Sequence, residues 1–418
     1  MRRGKYRKNT WRVGARVQEE SMGKEYDFFK DKGLHNESID LGFNHKSGLF
    51  VNGGYTRNNH GGWQGDLTGR EKRWHPKDQA LMNGMFGFQN RNMNVWYRLD
   101  FLDEKIFGPN NGSELQPEKV SDKDFLTKRY THQLQSDWKL DNRLDVHAAL
   151  SYQDYKRRTR TTESDLSTGE KWLSSAEASQ DITQYKAWIA RATVAWNIAP
   201  EFSVQPGVEY QWTQGEGGRI DGTPKVSDLA FFLSAEYKPW EWLSLRPGVR
   251  TFIVADYDAP IAIPSVLTKF KLTKHMDLRL SYAYGFRSPT LQELYFSFHN
   301  DNHDIDGNPD LKAEYSHNIT GSVAYRVLHS EKIHLTTTLS GFYNDFRDKI
   351  SLAQNVDIPN YNTYYNIDRY KTVGGSLENS LSWGGLRANL NVSLIGRYNR
   401  YATGDMALHK SCSRAQMA

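Results

Sequence analysis

Residues 128–155 read KRYTHQLQSDWKLDNRLDVHAALSYQDY. After Asp141 and Asn142, the residues Leu144, Val146, Ala148, Leu150 and Tyr152 alternate with Asp145, His147, Ala149, Ser151 and Gln153. Side chains point to opposite faces along an extended strand, so this run has one apolar and one polar face, and helical spacing does not fit it. Asp141-Asn142 is a pair whose side chains bond their own backbone in tight turns. The stretch is therefore expected to be a hairpin, 128–139 against 143–155.

The same two-residue period recurs along the chain. It carries Met93, Val95, Tyr97, Leu99 and Phe101, then Trp188 to Trp196, Phe202 to Trp212, Leu278 to Phe286 and Leu386 to Leu394. Further hairpins are expected at 36–46/48–57, 79–89/92–102, 184–197/202–213, 228–238/243–253, 265–273/276–286, 314–328/332–346 and 369–383/386–398, with an earlier strand over Trp11–Gln18. Within a pair the turns are short (Lys46-Ser47-Gly48, Asn90-Arg91, Gly384-Gly385). Between pairs the connections are long and polar: 58–78, 103–127, 156–183, 213–227, 254–264, 287–313 and 347–368. Short turns at one end and long loops at the other are the asymmetry of an outer-membrane β-barrel. Trp138, Trp196, Tyr237, Trp240, Trp242 and Tyr325 sit near the short turns, and Tyr55, Tyr152, Trp212 and Tyr343 toward the long loops, where membrane interfaces place aromatic rings.

Composition removes the competing classes. The 418 residues carry 54 Lys+Arg against 49 Asp+Glu, a net +5, and 13% are aromatic. No apolar run reaches the ~18 residues that a membrane-spanning helix needs. Aromatics spread through the chain argue against disorder. A single cysteine, Cys412, excludes a disulfide framework and cysteine-based zinc sites. A β-propeller lacks the alternation of short and long connections, and a sandwich has loops of similar length at both ends. Sixteen or seventeen strands are too many for a barrel whose side chains fill it, so the lumen is expected to be a channel or to be plugged.

Residues 282–321, YAYGFRSPTLQELYFSFHNDNHDIDGNPDLKAEYSHNITG, carry a family resemblance. Phe286-Arg287-Ser288-Pro289, then Glu293-Leu294-Tyr295, then Gly307-Asn308-Pro309-Asp310-Leu311-Lys312 and Glu314 resemble the boxes of the TonB-dependent receptors of Gram-negative outer membranes. The resemblance covers roughly Asn36 to Tyr401. It implies an all-β fold, a large antiparallel transmembrane barrel of the 22-stranded kind, occluded by an N-terminal plug. It also implies active uptake of a scarce ligand driven by TonB through that plug. The plug and the last strands are expected to lie outside these residues, so the chain is read as a fragment. Residues 1–35 lead into the barrel and 36–403 form a partial barrel. Residues 404–418, where the alternation stops, are an irregular tail expected from truncation or frameshift. Cobalamin or glycan uptake, or a passive porin, are the alternatives.

Within the family's haem receptors the two boxes flank a loop with an axial histidine. Here Phe286-Arg287-Ser288-Pro289 and Asn308-Pro309-Asp310-Leu311 flank His299 and His303, with Phe296 and Phe298 placed to pack on a porphyrin face. Ser288 and Asp310 depart from the family's usual Ala and Asn. Haem and a ferric siderophore are the two ligands expected, the companion histidine of the plug being out of view.

Other chemistry is sparse. The HExxH, GxSxG and GxxxxGK[ST] motifs are absent, so no enzyme and no resident cofactor are expected. Asn302-x-Asp304-x-Asp306-Gly307 has the spacing of half a calcium loop, but position twelve falls on Ala313. The run Lys156-Arg157-Arg158-Thr159-Arg160, expected on an external loop, suits lipopolysaccharide phosphates or a solvated tip balanced by Glu163 and Asp165. Charge is not otherwise clustered, and nucleic acid is not implied.

Overall fold

A computed structural model of the protein describes residues 8–28, 32–176, 179–254, 260–300, 303–354 and 361–400. Twenty strands and one short helix make up the described chain: β1 Thr10–Glu20, β2 Leu34–Asn44, β3 Leu49–His60, β4 Lys77–Gln89, β5 Met93–Gly108, β6 Lys119–Lys139, β7 Leu144–Asp165, β8 Lys171–Leu173, β9 Ile182–Ala199, β10 Phe202–Glu216, β11 Lys225–Trp240, β12 Leu243–Val254, β13 Ile263–Lys271, β14 Met276–Arg287, α1 Leu291–Tyr295, β15 Ser297–Asn300, β16 His303–Asp306, β17 Glu314–His329, β18 Ile333–Gln354, β19 Tyr361–Trp383 and β20 Leu386–Arg400. All eight expected hairpins are present, each with its short turn where the sequence puts it. At one of them Asp141 accepts hydrogen bonds from the backbone amides of Arg143 and Leu144 (2.6 and 2.8 Å), which is what closes the turn.

Contacts divide the chain into two units: residues 1–192, 210–227 and 296–302, and residues 193–209, 228–295 and 303–418. In the first, β1 to β8 form one antiparallel meander, with β1 paired to β2 from Thr10↔Asn44 to Glu20↔Leu34. In the second, β11, β12, β13, β14, β17, β18, β19 and β20 pair antiparallel in that order. The short β16 adds to β19 in parallel, Asp304↔Tyr361 to Asp306↔Thr363.

Each meander is two-faced in the sense the alternation demands. In the first unit Ile39, Leu41, Val51, Met82, Phe86, Leu134, Trp138 and Leu150 are exposed. The opposite face holds polar groups bonded to one another: Arg98 grips Asp100, and Asp137 accepts from Asn94 (3.1 Å) and meets His147 (2.8 Å). In the second unit Leu233, Val249, Leu280, Leu339, Leu377 and Leu394 are exposed, and on the other face Arg246 pairs with Glu236 at 2.8 Å and Lys269 with Asp277 at 3.3 Å. An exposed apolar face over a satisfied polar face is stable only where lipid covers the first and the lumen receives the second. Trp138, Trp196, Tyr237, Trp240, Trp242 and Tyr325, expected at the interface beside the short turns, are all exposed. Among the described residues no helix is long and apolar enough to cross a membrane; the strands do the crossing.

The strands run further than the alternation indicated. β6 and β7 continue to Lys119 and Asp165, and β18 and β19 to Gln354 and Tyr361, turning much of the loops expected at 103–127, 156–183 and 347–368 into paired ladder. These extensions are polar on both faces, and Val120, Thr127, Thr159, Thr161 and Ser164 are buried there against neighbouring protein, so no apolar period marks them. The basic run Lys156–Arg160 accordingly lies inside β7, not on a loop tip.

Candidate functional site

β14 ends at Arg287, whose register partner on β17 is Glu314. Pro289, which has no amide to donate, stops the ladder there and is fully buried. Thr290 then opens α1 with a capping box: its hydroxyl accepts from the Glu293 amide at 3.2 Å, and the Thr290 amide donates to the Glu293 carboxylate at 2.7 Å.

The Arg287 guanidinium joins both ends of this turn. It donates to Glu293 from both terminal nitrogens (2.9 and 3.1 Å) and to Glu314 from Nε and Nη2 (2.9 and 2.8 Å). A planar fork answering two carboxylates at once is a geometry that lysine cannot supply. Glu314 also accepts from the Ile350 amide at 2.6 Å, tying β17 to β18. Burial works to raise the Glu293 pKa, but the Arg287 hydrogen bonds and the Thr290 amide outweigh it and hold the carboxyl below its ordinary value.

The second box closes on the first. The Asn308 amide donates to the Glu293 carbonyl (2.8 Å), its side-chain amide donates to the Tyr364 carbonyl (2.9 Å), and its side-chain oxygen accepts from the Asp310 amide (2.9 Å). Gly307 packs directly on the helix: a β-carbon there would lie 2.6 Å from the backbone carbonyl of Leu294. Asn366 exchanges hydrogen bonds with Lys312 and also donates to the Asp348 carbonyl. Leu291, Leu294, Leu311, Ala313, Ile350 and Ile367 supply six of the ten buried hydrophobic residues of the described chain. The motif is thus a small packed scaffold on top of the strands. Its one arginine is spent on internal carboxylates, and what it does is fix the ends of the loop between the boxes.

That loop contains β15 and β16. Its stretch 296–302 belongs to the first unit, where Phe296 bridges Ile220 and the Ser297 amide donates to the Arg219 carbonyl at 3.0 Å. The Phe296 and Phe298 rings lie 6.3 Å apart at 47°, and the Arg219 guanidinium stands 4.1 Å from the Phe298 centroid. Phe296 and Phe298 are thus neighbours, with Arg219 beside the second. Arg219 comes from a Gly-rich loop with no motif, and nothing in the sequence pointed to it. His299 falls in β15 and His303 begins β16, but both side chains lie outside the described residues. Asp304 and Asp306 lie in a strand, not a coordinating loop, with Asp306 accepting from the Tyr361 hydroxyl at 3.1 Å. Among the described residues no group of three or more His, Cys, Asp or Glu side chains is placed to hold a metal ion.

A family model described as "TonB dependent receptor-like, beta-barrel" matches residues 2–407. Among curated proteins, haemoglobin and haemoglobin-haptoglobin-binding protein C of Haemophilus influenzae is 31% identical over 149 residues, 33% of this chain and 14% of that protein. The haemoglobin and haemoglobin-haptoglobin-binding protein of Haemophilus ducreyi is 38% identical over 78 residues, 19% of this chain and 8% of that one. The matched stretches are thus a small part of those proteins' length. Among solved structures, the siderophore receptor PirA of Pseudomonas aeruginosa superposes with a TM-score of 0.65 at 13% identity, covering 94% of this chain and 72% of that one. The FrpB iron transporter of Neisseria meningitidis does so with a TM-score of 0.66 at 15% identity, covering 94% and 63%. At such identities the likeness is one of fold.

Proposed function

The chain belongs to the TonB-dependent receptor β-barrel family, and from that premise we propose that it forms the wall of an outer-membrane transporter that takes up haem, drawn from a haemoglobin-type carrier. The observation that carries the ligand is the set of curated relatives, 31–38% identical over their matched stretches and each named for binding haemoglobin. Siderophore uptake stands second: the receptors and iron transporters that suggest it share the fold at 13–15% identity, too little to bring a ligand with them.

In this reading the barrel wall begins with β1, inside the segment 1–35 expected only to lead into it, and continues through 36–403, and TonB acts through a plug that belongs to the same protein. Haem is cargo. The scaffold around Arg287 holds the loop ends, His299 or His303 offers a neutral imidazole to the iron, and Phe296 and Phe298 present aromatic faces to the porphyrin. The relatives and solved neighbours are receptors and transporters, and no catalytic motif stands in the sequence, so the protein is proposed to perform no catalysis.

The test is haem titration of the full-length receptor in detergent, with His299→Ala and His303→Ala. Loss of the Soret shift in either variant is the expected result. An unchanged spectrum in the double variant removes the axial role. Absence of haem binding by the wild type hands the site to the siderophore reading.

A further inference from the structure

The basic run of β7 does not stand alone. Lys128 on β6 lies directly opposite Lys156, Leu126 opposite Arg158, and Asp124 opposite Arg160. On the other side of β6, Asp103 of β5 is opposite Lys128 and Lys105 is opposite Leu126. Three strands therefore bring Lys105, Lys128, Lys156, Arg158 and Arg160 onto one face, beside the carboxylates of Asp103, Asp124 and Asp154 and, further out, Asp122. Asp154 accepts from Gln184 at 2.7 Å and Asp122 from Arg70 at 2.6 Å. Asp124 is taken by Lys105 (3.1 Å) and Arg160, and Asp103 reaches Lys128 only at 3.8 Å. Among the described residues Lys156 and Arg158 have no ion pair, and both are exposed.

The balancing acids expected from the sequence are not there. Glu163 has the opposite parity on β7 and accepts from Ser121 at 3.1 Å. Asp165 is occupied by the turn after β7, accepting from the Ser167 hydroxyl and amide and the Thr168 amide. Like charges directly opposite on a ladder, such as Lys128 and Lys156, destabilise it. Lys128 is 61% exposed, so water screens part of this repulsion and the ammonium groups stay open to an anion.

The same face, one residue pair closer to the bilayer, is the aromatic belt. Phe101 and Tyr130 are register partners with ring centroids 4.8 Å apart, and Tyr152 packs at a tilt against Trp188, centroids 4.5 Å apart. Below them Leu134 and Leu150 are exposed on the lipid face. The cations thus face outward, at the height where headgroups of the outer leaflet begin.

We propose that this face, Lys105, Lys128, Lys156, Arg158 and Arg160 above Phe101, Tyr130 and Tyr152, is a binding site for a phosphorylated glycolipid of the outer leaflet, lipopolysaccharide in a Gram-negative outer membrane. Its phosphates relieve the Lys128–Lys156 repulsion through charge-assisted hydrogen bonds, and its acyl chains lie along the aromatic and leucine belt. A free anion would satisfy the cations and leave the belt unused. The site faces away from the lumen and takes no part in carrying cargo.

The experiment uses the full receptor purified from outer membranes in mild detergent, with retained glycolipid measured by mass spectrometry. The variant Lys128→Gln/Lys156→Gln/Arg158→Gln is expected to retain roughly tenfold less. Stripped wild-type receptor is then offered the intact glycolipid, the same lipid after enzymatic removal of its phosphates, and inorganic phosphate as competitor. The dephosphorylated lipid is expected to bind as weakly as intact lipid binds the triple variant, with no displacement by millimolar inorganic phosphate. Equal retention by wild type and triple variant overturns the proposal, as does equal binding of the dephosphorylated lipid. Displacement by inorganic phosphate overturns the lipid assignment and leaves an anion site. Should the triple variant fail to assemble, the single Lys156→Gln carries the test with a several-fold loss, and Lys128→Arg/Lys156→Arg, which keeps the charge, should retain lipid at the wild-type level.

Discussion

Arg287 shows how much one side chain can decide. Its partners Glu293 and Glu314 are 16% and 13% exposed, so removing the guanidinium strands two half-buried carboxylates beside each other. Arg287 itself is 40% exposed, which lets solvent screen part of the loss. Arg287→Ala is expected to cost about 2 kcal/mol at the loop, with Arg287→Lys intermediate because it keeps the charge and loses the fork. Limited proteolysis should show cleavage between 288 and 313 while the barrel stays intact. The same clamp sets a pH dependence. Glu293 titrates below its ordinary 4.5 in the folded loop, so its contribution is fully present above that value and is lost as pH falls through the lowered folded one. Hydrogen-exchange protection of Leu291–Tyr295, corrected for intrinsic rate, should be flat from neutral pH to about 5 and drop only in stronger acid. The boxes were legible in the sequence as letters. Their physical role was not, because the partners of Arg287 stand 6 and 27 positions away and only the ladder brings them together.

At the scale of elements, what the sequence revealed was the half-lipid, half-lumen part of each strand, because only there do two different solvents impose a period of two. Where β7 passes Tyr155 the pattern becomes Lys-Arg-Arg-Thr-Arg, Thr159 and Thr161 are buried as polar residues, and the ladder continues without an apolar signature. The three-residue β8 and four-residue β16 were invisible for a related reason: each is held by a neighbour's edge and has no face of its own to bury. α1 could have been found, since Thr290-Leu291-Gln292-Glu293 is a capping box in plain sequence. Its fit against Gly307 leads to a further expectation. Gly307→Ala drives a methyl group into the backbone of Leu294 and Tyr295, where the neighbour cannot rotate aside. A cost on the order of 2 kcal/mol is expected, confined to the loop. The measurement is ligand affinity together with the melting temperature of the barrel; the first should fall and the second should stay.

For the molecule as a whole, sidedness is the property that follows most directly. The turns Asn90–Asn92, Leu140–Arg143 and Gly384-Gly385 are expected at the periplasmic end, and the turn Leu166–Glu170 after β7 outside. A short epitope inserted after Thr168 should be stained on intact cells, and one inserted after Asn142 only after permeabilisation; the reverse pattern would invert the topology. The long strands add a dimension to this. β6 and β7 have 21 and 22 residues. At about 3.3 Å per residue and a tilt near 40°, they rise roughly 50–55 Å, about twice the ~25 Å apolar band of an outer-membrane barrel. Half of that hairpin is a mast. Bacterial surfaces are carpeted with sugar chains, and a small solute filters through such a carpet unaided. A bulky folded particle, whether a carrier protein, an antibody or a phage tail, is halted above it, and a mast carries its outer turn that much further up toward such a particle.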